Sequence, residues 1–152
     1  MPTAASQADI AYDWELWIGR TVAQTTTWTQ IFGFESLPYP EQVPEDVDVT
    51  HMQSPGRARE TMPGLLPVAD WSQEKQYWGD DGDDLLDELA ELTAAGTKED
   101  VLIEFNISGA LRRTYLGYIN VFTPTGSVGD KSMVNVGIKL MERQETDARV
   151  IE

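Results

Sequence analysis

DDLLDELAELTAAGTKEDVLIEFNIS, residues 83–108, changes structural period within a few positions and so decides what kind of domain this is. Leu85, Leu89 and Leu92 follow i, i+4, i+7 spacing, with Leu86 and Ala90 widening the stripe, and predict an amphipathic helix over 83–95. Asp81 or Asp83 can cap its free N–H groups, the acidic first turn complements the helix dipole, and Gly96 can take the left-handed position after the last turn. Five residues later the period becomes two. Val101, Ile103, Phe105 and Ile107 alternate with Leu102, Glu104, Asn106 and Ser108, the cleanest strand pattern in the chain.

Working outward, no second helix of this quality appears. Towards the C-terminus SGAL reads as a turn, Arg113–Thr123 as a long aromatic strand, PTGSVGDKS as a loop and 134–140 as a strand, with 143–152 a charged tail. Towards the N-terminus, 68–78 (VADWSQEKQYW) places Asp70, Ser72, Glu74 and Gln76 on one wetted face, while Gln73 and Lys75 fall on the other. Strands are predicted at 14–22 and 25–34, both rich in β-branched and aromatic residues. Three prolines within 37–44 require a loop there, and Val47 and Val49 alternating with Asp48 and Thr50 predict a short half-buried strand. Residues 1–12 are small and polar and read as an extended arm. With about seven strands around one helix and no βαβ alternation, the expected fold is mainly β, an antiparallel sandwich or barrel in a single domain over 1–152.

Between those strands, PEDVDVTHMQSPGRARETMPGLLP (44–67) is punctuated by Gly and Pro and carries Arg57, Arg59 and Glu60 close together. It collects no nucleophile beside a base. Its composition predicts a protruding contact segment over 53–66, suited to docking on a copy of itself.

Charge and composition exclude several roles. A net charge of −15, from 26 acidic and 11 basic residues, opposes unspecific attraction to DNA, RNA or an anionic membrane. The absence of cysteine removes disulfides, thiolate metal sites and a cysteine nucleophile. No basic n-region precedes an apolar run, and no window approaches the roughly 20 apolar residues of a membrane span. The single His51 has no second histidine or cysteine to complete a catalytic set. GDDGDD lacks the EF-hand register, because counting back from Gly82 as the sixth position puts Tyr77 first where a carboxylate is needed. Helix capping accounts for those aspartates, and no metal, cofactor or enzymatic activity is expected. Five tryptophans, Trp14, Trp17, Trp28, Trp71 and Trp78, leave open an alternative, a soluble carbohydrate- or protein-binding β-sandwich that uses them as a stacking platform.

Taken in order, WTQIFGFESL, DVDVTHMQSPGRARETMPGL, VADWSQEKQYW, DDLLDELAEL, and EFNIS followed by YLGYINVFTPTG resemble the major tail tube protein of long flexible-tailed phages and related gene transfer agents. The similarity covers about residues 27–141. Its densest part is an Asp-x-x-x-Thr strand leading to a Ser/Gly-rich loop and a Pro-Gly turn, matched by Asp46, Asp48, Thr50, Ser54, Gly56, Pro63 and Gly64. AYDWELWIGR departs from the usual first strand.

The resemblance implies a virion subunit that closes into hexameric rings. The rings stack into a hollow tube around the tape measure protein, between tail tip or initiator and terminator proteins, and the tube later conducts DNA without binding it. Such tubes are assembled in the bacterial host cytoplasm and involve no membrane. Ser54, Arg57, Arg59, Glu60 and Met62 are then expected to contact an adjacent ring, and Asp48, Asp70, Ser72 and Glu74 to line the lumen.

Overall fold

Long runs of alternating apolar residues bury one face each and so need a shared layer. In the computed structural model, which describes residues 14–107 and 111–144, six of them form one antiparallel sheet. Its strands are β1 (Trp14–Val22), β2 (Thr25–Ile31), β5 (Ala69–Gln76), β6 (Val101–Ile107), β7 (Leu111–Thr125) and β8 (Met133–Gln144), in the order β2-β1-β6-β7-β8-β5. Two further strands, β3 (Asp46–Asp48) and β4 (Thr61–Pro63), pair only with each other, and the one described helix, α1, spans Asp81–Ala94.

Register puts the core on one face of the large sheet. Leu16 lies opposite Phe105, Ile18 opposite Ile103, Ile103 opposite Tyr115, Ile119 opposite Ile138, and Ile138 opposite Trp71. These residues are buried together with Leu86 and Leu89 of α1, the inward side of the predicted leucine stripe. Phe34, Leu37 and Tyr39, from the Pro-rich connection, pack against the same cluster.

The sheet is strongly curled. Laid flat, its two edge strands would stand about 24 Å apart, five spacings of about 4.8 Å. Yet Phe34, three residues beyond the end of β2, makes an antiparallel bridge to Lys75 in β5, and Gln76 N donates to Gly33 O at 2.9 Å. Three residues reach only about 11 Å even when extended, so the edges must approach each other. Register shifts at Leu116/Gly117 and Ile119/Val121 bend β7 accordingly. Gly117 is required at the bend, because a Cβ there would sit 2.2 Å from the Lys139 carbonyl oxygen. No barrel closes: one bridge joins the ends, and the second sheet is the small β3–β4 hairpin.

Several predicted details change. The strand expected over 25–34 stops at Ile31, and Gly33 turns the chain with φ +97°. The 68–78 strand narrows to β5, while β7 and β8 run longer than 113–123 and 134–140. The segment read as a half-buried strand around Val47 and Val49 is wholly exposed and belongs to the hairpin, not the sheet. Neither Asp81 nor Asp83 caps α1. Asp80 does, its Oδ1 accepting from Asp83 N at 3.1 Å. Gly96 has φ +82°, and its N–H donates to Thr93 O, as the sequence predicts. The N-terminal arm over 1–12, residues 108–110 of the SGAL turn and residues 145–152 of the predicted tail lie outside the described residues, whereas Leu111 begins β7 and residues 143–144, expected in the tail, end β8.

Candidate assembly surfaces

The 44–67 segment is an arm built on a two-stranded ladder. Asp46, Val47 and Asp48 pair with Pro63, Met62 and Thr61, and the base is closed by Gly64 N donating to Glu45 O and Glu45 N donating to Leu65 O. Above the ladder, short polar side chains replace a core. Ser54 Oγ donates to Glu60 Oε2 at 2.6 Å and accepts from His51 N at 2.9 Å, and Glu60 N donates to Thr50 Oγ1 at 2.8 Å. Arg59 pairs with Asp48 at 3.0 Å, and Asp48 also accepts from Thr50 N at 2.9 Å. Thr50, through its side chain and then its backbone N–H, and then Arg59 hold the Asp48 carboxyl below its ordinary value. His51 lies 3.4 Å from Glu60, and its Nδ1 accepts from Gln53 N, which fixes the turn.

Ser54 and Glu60 therefore organise the tip from within, while Arg57, Arg59 and Met62 face solvent. Arg57 sits in the left-handed region (φ +60°) on a single 3-10 turn, Pro55–Arg57. Sequence reading missed the apolar residues that share this surface. Met52 is 96% exposed and Leu65 85%, and Val43, Val47, Leu66 and Val68 are also exposed. So much apolar surface on one segment is the mark of a contact region, and the signal was present as the Met and Leu pairs between the prolines.

The lumen candidates separate into two places. Asp70, Ser72 and Glu74 lie on the outer face of β5, exposed and in register with Lys139, Gly137 and Asn135 of β8. Asp48 stands apart on the arm. Asp70 is ion-paired with Lys139 and holds that ammonium above its ordinary pKa, and Glu74 is close enough to Lys131 to act on it electrostatically. The tryptophans do not share one platform. Trp71 is buried, its Nε1 donating to Pro38 O at 2.8 Å, and Trp14 lies on the face of β1 opposite to that of Trp17.

Two strand edges remain. Among the described residues β2 has no neighbour outside β1, and β5 none outside β8 except the bridge at Lys75. β2, TTTWTQI, carries neither proline nor charge, the usual protections of an edge. At the helix start Lys75 and Asp83 form a buried ion pair (2.5 Å), and Asp83 Oδ2 also accepts from Trp78 N and Gly79 N at 2.8 Å each. That pair clamps α1 to β5. Among the described residues no group of His, Cys, Asp and Glu is arranged to hold a metal, and no helix is long and apolar enough to cross a membrane.

A six-stranded curled sheet with one helix and an outlying hairpin can be compared with solved structures. A chain from the tail of an empty gene transfer agent particle, resolved with C6 symmetry, superimposes with a TM-score of 0.67 at 19% identity over 87% of this chain and 96% of that one. The two chains share a fold. A chain from the virion of a native gene transfer agent particle gives 0.61 at 20% identity, covering 83% and 90%. One from the sheath-tube complex of an extracellular contractile injection system gives 0.62 at 11% identity, covering 91% and 90%. No protein-family model matches the sequence, and no curated protein does. The shared fold is thus held at identities where few side chains coincide, so the surfaces of this chain must be read from its own residues.

Proposed function

We propose that this chain is a structural, non-enzymatic, cofactor-free subunit of a tail tube. Its single domain polymerises as stacked hexameric rings into a hollow tube that encloses a tape measure protein and later gives DNA an electronegative channel. The observation that carries this reading is the near-complete coverage, 96%, of a chain from a C6-symmetric tail. The unprotected β2 edge supports it physically, because joining edges around a ring pairs backbone groups that would otherwise template aggregation.

Asp70, Ser72 and Glu74 are the proposed lumen lining. A wall with excess acid repels phosphates, whereas a basic one would release counterions and arrest a duplex that has to slide. Ser54, Arg57, Arg59, Glu60 and Met62 form the proposed inter-ring contact. Tip or initiator and terminator proteins cap the ends, and the site of action is the virion tail after assembly in the bacterial host cytoplasm.

The test is Arg57→Glu with Arg59→Glu. Both side chains are exposed, so thermal unfolding of the variant stays near that of the parent while tube assembly is lost. Tubes growing normally from the double variant would remove the arm from the ring-to-ring contact.

A further inference from the structure

Between β2 and the start of α1 lies a groove of about 440 Å³ lined by Trp17, Trp28, Gln30, Phe32, Asp80 and Asp81. Its floor is set by the backbone. Trp28 lies across Gly19 so closely that a Cβ there would meet the indole at 2.8 Å, which fixes the ring against β1. Phe32 continues the aromatic surface and stacks on Trp78 (centroids 5.9 Å, interplanar angle 4°), both rings being exposed. The rim is acidic. Asp80 uses Oδ1 as the helix cap, and Asp81 is exposed and makes no ion pair or side-chain hydrogen bond among the described residues.

We infer that this groove receives the arm tip of a second copy, Arg57 against Asp81 and Met52 against Trp28 and Phe32. The inference rests on the tail-tube reading and adds the receiving site to it. Three observations carry it. First, the chemistry is complementary: Arg57 forms no ion pair or hydrogen bond among the described residues, and Met52, in the turn just before the 3-10 turn that carries Arg57, has 96% of its surface exposed. An arginine beside an aromatic face, with a carboxylate in reach, gains from both, and thioether–aromatic contact is favourable.

Second, the chain's own arm does not fill the groove, since Met52 at its tip is exposed, and the arm is rooted at the far end of β5. The arm ends at Pro67, just before the start of β5, and the groove begins just after its end, so the eight extended residues of β5, about 25 Å, separate them. Third, a projection at one end and a recess at the other make a heterologous contact, which repeats along an axis instead of closing on a dimer. The unfavourable encounter of a cation with a helix N-terminus is already offset, since Asp81 and Asp84 stand in the first turn and Asp83 accepts backbone N–H groups there.

The chain has no cysteine, so Met52→Cys with Phe32→Cys introduces the only thiols. Oxidised tubes of this variant are expected to give a ladder of disulfide-linked multimers on denaturing gels, and either single variant no more than a dimer. Tubes that assemble yet run as monomers overturn the groove contact and leave the tail-tube reading standing. A parent chain that never assembles removes that reading, and the inference with it. If the double-cysteine chain alone fails to assemble, charge exchange decides. Arg57→Asp is expected to raise the critical concentration for tube growth about tenfold, and adding Asp81→Arg to restore it. Absence of restoration overturns the pairing.

Discussion

The arm and the sheet use the same kinds of residue to opposite ends. Within the sheet, Leu16, Ile18, Phe105 and Ile138 are sealed by partners in the same chain, and even Lys75 is buried against Asp83. On the arm, Val47, Met52, Met62 and Leu65 are exposed, and the tip is held by polar contacts around Asp48, Ser54 and Glu60. The domain completes its own core, whereas the arm is ordered but incomplete. Folding and the proposed assembly therefore rest on separate surfaces, and mutations are expected to strike one without the other.

The sharpest way to break the contrast is on the sheet side. Lys75→Ala leaves the Asp83 carboxylate buried without its cation and is expected to cost about 3–5 kcal/mol, seen as a lower urea midpoint. A loss under about 1 kcal/mol would mean that the pair does not clamp α1 to β5. Next, Gly117→Ala pushes a methyl group onto the Lys139 carbonyl at the bend of β7 and is expected to cost about 1–3 kcal/mol, with less native protein on heating.

On the arm side the effects on folding shrink. Replacing residues 46–63 by a short Gly-Ser linker is expected to change the monomer's unfolding free energy by only about 0.5 kcal/mol, since no buried contact is lost. The same excision is expected to abolish tube growth, which light scattering reads directly. The smallest effect is pH. Asp48 has a lowered pKa in the folded arm, so its contribution is fully present above the ordinary Asp value of about 3.9 and is lost as pH falls through the lower folded value. The side-chain carboxyl carbon shift of Asp48 is therefore expected to hold from pH 7 to about 4 and to move only in stronger acid; a midpoint at or above the ordinary Asp value would contradict this.

The helix was legible because its leucine stripe, acidic first turn and closing glycine all agree, and β6 because its alternation is regular. Gly, Pro and Arg content led to the expectation of a protruding contact segment over 53–66, a stretch that in the fold holds a 3-10 turn and β4. The β3–β4 pairing was not legible, since two three-residue strands with no buried side have no period to read. Glu104, Asn106 and Thr114 look outward-facing by alternation, yet all three are buried, because alternation assigns a face and not its solvent exposure. The Lys75–Asp83 pair and the Phe34–Lys75 bridge depend on how far the sheet curls, which is set by bulges in β7 that leave only Gly117 and Gly137 as local traces. The receiving groove draws on β1, β2 and α1, so only the folded chain brings it together.

The central claim is that an ordinary folded domain carries the means of its own polymerisation. Purified protein, concentrated and followed by negative-stain electron microscopy with light scattering at low and high salt, tests it directly. Rings or hollow tubes of uniform diameter are the expected result; a strictly monomeric species at every concentration and salt would contradict it.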